Sequence, residues 1–256
     1  MSYRIAALLV VLGLFRATYA NAADAPSKPA DRHPTKIFLL VGQSNMAGRG
    51  KIEKQDQTPD PRVFMLNKQG EWVPAVDPLH FDKSVAGVGL GLTFGRQIAA
   101  KYPDDIIGLV PCAVGGTSID QWSPTLEKGL YADAIARAKI AVKEGKLAGI
   151  LWHQGESDSK KAAAYTEKAK TLFAAFRKDL SAPEVPVIVG TIGEFHAGGD
   201  AINAVLRALP DAIPHSACAE SKGLTDKGDK THFDAASYRE FGQRYAQKWL
   251  GLVKSK

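Results

Sequence analysis

Short apolar runs alternate along this chain with longer segments in which apolar residues recur every three or four positions. The short runs predict β-strands at residues 37–41, 105–111, 147–152, 185–192 and 215–220, and a small hairpin within residues 62–72. The longer segments predict helices from Leu90 to Tyr102 and at residues 131–142, 160–180, 201–209 and 234–250. Strands that alternate with helices are typical of a parallel sheet covered by helices on both faces. The pattern therefore predicts an α/β fold with a parallel central sheet.

A tight turn follows the first strand, in the sequence GQSNMAG from Gly42 to Gly48. Gly42 ends the apolar run, and small or polar residues continue from it. A sharp turn at the carboxyl end of a strand is where α/β folds expose a nucleophile, and Ser44 is the residue that this turn presents. An ordinary polar turn is the alternative interpretation of this segment taken alone.

Polar loops also follow three later segments. They are CAVGGTSI at residues 112–119, WHQGESD at residues 152–158 and DKTHFD at residues 229–234. The carboxyl ends of parallel strands meet at one edge of a sheet, where α/β proteins bind their ligands. We therefore expect Ser44 and these loops to converge on one crevice.

The residue types in these loops match nucleophilic catalysis. A serine needs a base to attack a carbonyl at neutral pH, and a histidine oriented by a carboxylate is the usual one. Asp229 and His232 have a spacing that can place the carboxylate beside the ring. Asp77 and His80 form a second D-x-x-H pattern, but a capped amphipathic helix follows only Asp229 and His232.

The negative charge of a tetrahedral intermediate needs hydrogen-bond donors around it. The candidates are the backbone N–H of Ser44, the backbone N–H of Gly115 or Gly116, and the side-chain amide of Gln154. Two further carboxylates, Glu156 and Asp158, either orient His232 in place of Asp229 or cap the helix that begins near residue 160. A glycosidase pair is disfavoured because neighbouring carboxylates rarely flank a substrate from opposite sides.

Composition and motif spacing argue against several classes of function. The chain has 256 residues, 45% of them hydrophobic, and a formal net charge of +6. It has no run of five basic residues, so we expect no nucleic-acid partner. The six histidines include no H-E-x-x-H or H-x-H spacing, and the glycines at 87, 89 and 91 lack the G-x-G-x-x-G spacing. We therefore expect no metal and no cofactor.

The N-terminus has the pattern of a targeting segment. Arg4 precedes eleven apolar or small residues, and Ala20-Asn21-Ala22 has the form of a cleavage site. We predict a signal peptide at residues 1–22, a disordered lead-in at 23–35 and a single domain at 36–256. The protein would then be secreted or periplasmic, without a membrane association after cleavage; an uncleaved anchor is the alternative. Cys112 and Cys218 are either bridged or two buried thiols.

The four blocks GQSNMAG, CAVGGTSI, WHQGESD and DKTHFD together resemble the SGNH-hydrolase superfamily. More narrowly, they resemble the sialate O-acetylesterase-like branch that includes acetylxylan esterases of carbohydrate esterase family six. The resemblance covers about residues 36–250. Gln43 and Gln154 stand where the broader superfamily has Asp and Asn, and both match the narrower branch.

The resemblance implies a flavodoxin-like three-layer α/β/α fold and a hydrolase that removes acetyl groups from carbohydrates. It implies Ser44 as nucleophile, His232 as base and Asp229 as its acid, with Glu156 kept open as an alternative acid. Gly115 fits the second-block glycine best, and Gly116 is the near alternative. The competing functions are a short-chain lipase or thioesterase on the same fold, and a carbohydrate-binding module without catalysis.

Overall fold

The computed structural model describes residues 33–254, so the predicted signal peptide and residues 23–32 of the predicted lead-in lie outside the described part. The strands are β1 (Lys36–Gly42), β2 (Val63–Leu66), β3 (Trp72–Pro74), β4 (Ile107–Pro111), β5 (Lys146–His153), β6 (Val187–Gly190) and β7 (Ser216–Ala219). The helices are α1 (Ser44–Ala47), α2 (Leu90–Lys101), α3 (Leu130–Ala141), α4 (Tyr165–Asp179), α5 (Asp200–Ala212) and α6 (Ala235–Lys254).

The strands form one seven-stranded sheet in the order β3-β2-β4-β1-β5-β6-β7. β3 is antiparallel to β2, as the predicted hairpin requires, and every other neighbouring pair is parallel. When the β2–β3 hairpin is left aside, β4 and β5 are the next two strands along the chain, and β1 lies between them in the sheet. The chain therefore crosses in opposite directions on the two sides of β1, and such a switch point opens a crevice at the carboxyl ends of the strands.

Helices cover both faces of the sheet because side chains alternate along each strand. On β1, Ile37, Leu39 and Val41 belong to a core shared with α3, α4 and α5. Phe38 and Leu40 belong to the opposite core, shared with α2 and α6. All five side chains are fully buried. The predicted α/β fold with a parallel central sheet in a three-layer α/β/α arrangement is confirmed.

Helix α4 begins at Tyr165, later than the predicted residue 160. The reason lies in the preceding loop, where Asp158 is held by other partners. Its Oδ2 accepts hydrogen bonds from the Ile119 N–H at 2.8 Å and the Gln154 amide at 2.7 Å. Asp158 therefore fixes a loop and does not cap the helix, and it is not a partner of His232.

The two cysteines are free thiols. Cys112 follows β4, Cys218 lies in β7, and β1, β5 and β6 separate these strands. Neighbouring strands are about 4.8 Å apart, so the two residues are too far apart for a disulfide. Burial raises the pKa of both thiols to about 12. Among residues 33–254, no helix is long and apolar enough to cross a membrane.

Candidate active site

The turn after β1 exists because residue 42 is a glycine. Gly42 has φ +128°, and a Cβ there would lie 2.1 Å from the carbonyl oxygen of His153 on the neighbouring strand. The Gln43 N–H donates to the same oxygen at 2.9 Å, so β1 stays paired with β5 up to its last residue. The chain then turns directly into α1, whose first residue is Ser44.

Ser44, His232 and Asp229 form a continuous chain of hydrogen bonds. His232 Nε2 lies 3.0 Å from Ser44 Oγ, and His232 Nδ1 lies 2.8 Å from Asp229 Oδ2. The other oxygen of Asp229 accepts the backbone N–H groups of Thr231 at 3.0 Å and His232 at 2.8 Å. The carboxylate therefore fixes both the ring and the loop that carries it, and the predicted spacing brings these three residues together.

These hydrogen bonds also set the charge of Asp229. Partial burial acts to raise its pKa, but the backbone and ring of His232 and the backbone of Thr231 together hold the pKa well below its usual range. Asp229 is therefore ionised across the range in which proteins are stable. An ionised Asp229 orients the imidazole and stabilises a positive charge on it.

Asn45 ties the turn at Ser44 to the His232 loop. Its Nδ2 donates to the Thr231 carbonyl at 2.9 Å, and its Oδ1 accepts from the Phe233 N–H at 3.3 Å. The same Oδ1 accepts from the Tyr238 hydroxyl at 2.5 Å, and Asn45 is fully buried. Both neighbours of His232 are thus anchored on the residue that follows Ser44.

Glu156 lies beneath this arrangement and does not hold His232. Its Oε1 accepts from Asn45 Nδ2 at 2.5 Å and lies 3.3 Å from His153 Nε2. Burial acts to raise the pKa of Glu156, but His153 and Asn45 bring it below the usual value. The carboxylate that meets the His232 ring is Asp229, so the geometry favours the Asp229 alternative over Glu156.

The position of Gly115 corrects one prediction. Its N–H donates to Asp82 Oδ2 at 2.9 Å, so this donor is occupied and does not face a substrate. The next residue, Gly116, has φ +83°, and a Cβ there would meet nothing within 4 Å. Free space therefore lies on the side-chain side of Gly116, which leaves Gly116 as the glycine candidate for an oxyanion donor.

Gln154 corrects a second prediction. It is fully buried, and its Nε2 donates to Gln43 Oε1 and to the Thr117 carbonyl, both at 3.1 Å. Its Oε1 accepts from the Tyr165 hydroxyl at 2.7 Å. With Asp158 as a third acceptor for the amide, Gln154 has no donor left for a substrate.

The amide of Gln43, next to Ser44, is held only through its oxygen. Its Oε1 accepts from Gln154 Nε2 and from the backbone N–H of Ser157 at 3.3 Å. A backbone N–H can only donate, so the oxygen must point towards it. The Nε2 of Gln43 therefore points away from the Ser157 N–H. Gln43 lines the cleft beside Ser44.

The cleft at this edge of the sheet has a volume of about 480 Å³. Its lining residues come from all the predicted loops and are mostly polar or charged: Gln43, Ser44, Arg49, Lys83, Val85, Gly115, Gly116, Glu156, Ser157, His196, Lys227, Asp229, Thr231 and His232. The alternative pair Asp77 and His80 is buried away from it, and burial lowers the pKa of His80 to about 3. Among residues 33–254, no group of three His, Cys, Asp or Glu is arranged to hold a metal ion.

Comparison with known proteins places this site in a family. The family model described as "carbohydrate esterase, sialic acid-specific acetylesterase" matches residues 34–251, which include every element of the site. The chain belongs to this carbohydrate esterase family. A probable carbohydrate esterase of Arabidopsis thaliana is 34% identical over 253 residues, which cover 89% of this chain and 95% of the plant protein.

Solved structures agree with the fold of this carbohydrate esterase. The structure of the Arabidopsis thaliana protein has a TM-score of 0.79 at 31% identity, and the match covers 85% of this chain and 98% of the other. The structure of NanS has a TM-score of 0.70 at 19% identity, with 88% and 100% covered. A carbohydrate acetylesterase from Xanthomonas citri has a TM-score of 0.69 at 19% identity, with 87% and 57% covered. The last two matches show the shared fold alone.

Three residues of the esterase site have no role in the sequence analysis: Gln43, Asn45 and Asp82. The signal for Gln43 was its place immediately before Ser44, in a turn that presents both residues. Asn45 follows Ser44, and its side chain can form up to four hydrogen bonds, which a turn in contact with other loops can use. Asp82 carries no local signal, because its partners Arg49 and Gly115 are each 33 residues away in the chain.

Proposed function

We propose that this carbohydrate esterase is a serine O-acetylesterase that hydrolyses acetyl esters on sugars through an acyl-enzyme. The observation that carries the proposal is the chain of hydrogen bonds from Asp229 through His232 to Ser44 Oγ, which ends in the cleft. No cofactor takes part, and water is the second substrate.

In the first half of the reaction, Ser44 Oγ attacks the acetyl carbonyl while His232 Nε2 takes the hydroxyl proton. The hydrogen bond of 3.0 Å between these atoms gives the proton a direct path. The imidazolium that forms is stabilised by the ionised Asp229 at 2.8 Å. His232 then gives the proton to the departing sugar hydroxyl, which leaves an acetyl group on Ser44.

We assign three donors to the developing oxyanion. They are the N–H of Ser44 at the start of α1, the N–H of Gly116 and the Nε2 of Gln43. All three residues line the cleft. Donors held in place before the reaction stabilise the transition state without a cost of reorganisation. Of the two predicted glycines the proposal therefore takes Gly116, and it takes Gln43 in place of Gln154.

In the second half, His232 takes a proton from a water molecule, which attacks the acetyl carbon of the acyl-enzyme. The same donors meet the second oxyanion, and His232 returns its proton to Ser44 Oγ as acetate leaves. Both halves use the same proton path, so loss of His232 should block acylation as well as deacylation.

The substrate we propose is an acetylated sugar of the sialate or acetylxylan type. Membership in the carbohydrate esterase family supports the sugar. A short-chain lipase or thioesterase on the same fold is the competing enzyme. We also propose that the protein is exported, on the basis of the predicted signal peptide.

Acetate release tests this function. The mature protein, S44A and the matched control S84A would be assayed on O-acetylated sialic acid, acetylated xylo-oligosaccharides and a longer acyl ester. Ser84 is exposed and lies outside the lining of the cleft. We expect acetate release by the parent and by S84A, with S44A at least ~10³-fold slower.

Other outcomes of this assay would favour the competing functions. A preference for the longer acyl ester would favour the lipase or thioesterase. Sugar binding by the parent without any acetate release would favour the binding module.

A further inference from the structure

One buried carboxylate holds together three segments at the edge of the cleft. Asp82 lies in the loop between β3 and α2, and its side chain has no solvent exposure. Its Oδ2 accepts from Arg49 Nη2 at 2.6 Å and from the Gly115 N–H at 2.9 Å. Arg49 in turn donates through Nη1 to the carbonyl of Gly48 at 2.7 Å. Asp82 thus links the nucleophile turn with the loop that carries Gly115 and Gly116.

The packing around Gly115 is too close for any side chain. A Cβ at this position would lie 2.5 Å from Arg49 Nη2, 3.1 Å from Asp82 Oδ2 and 3.3 Å from the Cβ of Ser44. The glycine loop is therefore pressed against both the ion pair and the nucleophile. A displacement of the ion pair would move this loop relative to Ser44.

We propose that Asp82, through its ion pair with Arg49, is a positioning residue for the oxyanion hole. Asp82 accepts the hydrogen bond of the Gly115 N–H and so fixes the backbone that leads to Gly116. The N–H of Gly116 is then left for the substrate. This inference rests on the proposed esterase function, because only a reaction with an oxyanion requires that donor. Asp82 itself does not touch the substrate or the reacting atoms.

The charge of Asp82 suits this role. Although burial acts to raise its pKa, the hydrogen bonds from Arg49 and Gly115 bring the pKa below its usual value, so the group is ionised. Charge-assisted hydrogen bonds to a carboxylate are shorter and stronger than those between neutral groups. A neutral amide in this place would hold the Gly115 N–H more weakly and leave the Arg49 guanidinium without its counter-ion.

The structure offers a closely matched control for a test. Asp56 is a second buried carboxylate, and it pairs with the partly exposed Arg239 through contacts of 2.9 Å and 2.7 Å. It also accepts a backbone N–H, that of Glu53, at 2.8 Å. Asp56 and Asp82 therefore have the same kinds of partner, but Asp56 lies outside the lining of the cleft.

The experiment compares D82N and D56N with the parent in acetyl ester hydrolysis and in urea unfolding. We expect D82N to lower kcat by about 10–100-fold, less than the ~10²–10³-fold loss of a whole oxyanion donor. KM should change by less than about threefold, because the interaction affected forms in the transition state. The pH profile of kcat/KM should keep its shape, since Asp229 and His232 are untouched. D56N should lose stability and keep its kcat.

Three results would overturn the proposal: an equal loss of kcat in D82N and D56N, an unchanged kcat in D82N, or a shifted pH profile in D82N. If D82N does not fold, D82E replaces it, because it keeps the charge of the ion pair but shifts the carboxylate relative to the Gly115 N–H, and Ser44, His232 and Asp229 are unchanged. D82E should then show the same selective loss of kcat. Inactivity of the parent on every acetyl ester would instead refute the esterase function.

Discussion

At the scale of single residues, the groups around Ser44 are held by partners that leave them little freedom. The side-chain amide of Gln154 donates to three acceptors, and its oxygen accepts from the Tyr165 hydroxyl. Gln43 is held through its oxygen by two donors, so its Nε2 has one direction left. A buried polar group with all its partners in place keeps one orientation, which is what a preorganised site needs.

The first prediction concerns Gln43. Replacement by alanine removes one oxyanion donor and should lower kcat by about 10²–10³-fold with a small change in KM. Steady-state kinetics of Q43A on an acetylated sugar measure this, with the exposed Gln55 changed to alanine as the control. Full activity in Q43A would exclude Gln43 from the oxyanion hole.

Single residues also mark the limit of what could be predicted from the sequence. The spacing of Asp229 and His232 sets their geometry within one turn, so the pair was predictable. The partner of the Gly115 N–H was not, because Asp82 reaches it from a different loop after folding. Gln154 was misassigned for the same reason, since its acceptors Gln43 and Thr117 come from two other segments.

At the scale of elements, α6 supports the loop that carries His232. Asp234 caps this helix through its Oδ1, which accepts the Ser237 N–H at 2.7 Å. Tyr238 on the first turn of α6 donates to Asn45 at 2.5 Å. The start of α6 therefore fixes the position of the residues that follow His232.

Loss of this cap should reduce stability. D234A removes the bond to Ser237 and a bond from the Thr225 hydroxyl at 2.5 Å, and the expected loss is ~1–2 kcal/mol in the free energy of unfolding. Urea titration measures it, with D211A at an exposed position of α5 as the control. A D234A variant as stable as D211A would show that the cap contributes nothing.

The ends of helices and strands could be predicted where the local sequence determines them. The predicted ends were wrong where tertiary contacts determine them. β1 and β5 extend one or two residues beyond their apolar runs, because backbone pairing continues to Gly42 and His153. The first residues predicted for α4 are not α-helical. The loop from Gln154 to Asp158 is tied to the loop at Ile119, and only a short 3-10 turn at Ala162–Ala164 precedes the helix. Alternation of strands and helices still predicted the sheet correctly.

At the scale of the whole molecule, stability should depend on pH through a carboxyl group that no part of the mechanism uses. Burial raises the pKa of Asp77 to about 8, and the nearby charge of Asp56 adds to the effect. In the unfolded chain this group titrates near ~3.9. Between these values the folded protein holds a proton that the unfolded chain has lost.

The sign of the effect follows from this difference. Because the folded state binds more protons, the contribution of Asp77 to the free energy of unfolding falls as pH rises from about 4 to about 8, by at most ~1.4 kcal/mol per pH unit. D77N cannot titrate, so it should be less sensitive to pH in that window. Urea titrations at pH 5, 6, 7 and 8 would show it, with D104N at an exposed site as the control. Equal slopes of the free energy of unfolding against pH for the parent and D77N would contradict this prediction.

The convergence of four distant segments on one cleft is the central property of the molecule as a whole. It follows from the position of β1 between β4 and β5, which brings Ser44 beside the loops after both strands. The loop between β7 and α6 places His232 at the same edge. Family membership and this geometry together lead to the claim that Ser44 carries the acetyl group during turnover.

The most direct test of that claim is to find the acetyl group on the enzyme. The parent and S44A would be mixed with an acetylated sugar, quenched in acid within the first turnover, digested and analysed by mass spectrometry. We predict one acetyl group on the peptide that contains Ser44 in the parent, and none on the corresponding peptide of S44A. An acetyl group on another residue, or turnover by S44A at the rate of the parent, would contradict the account.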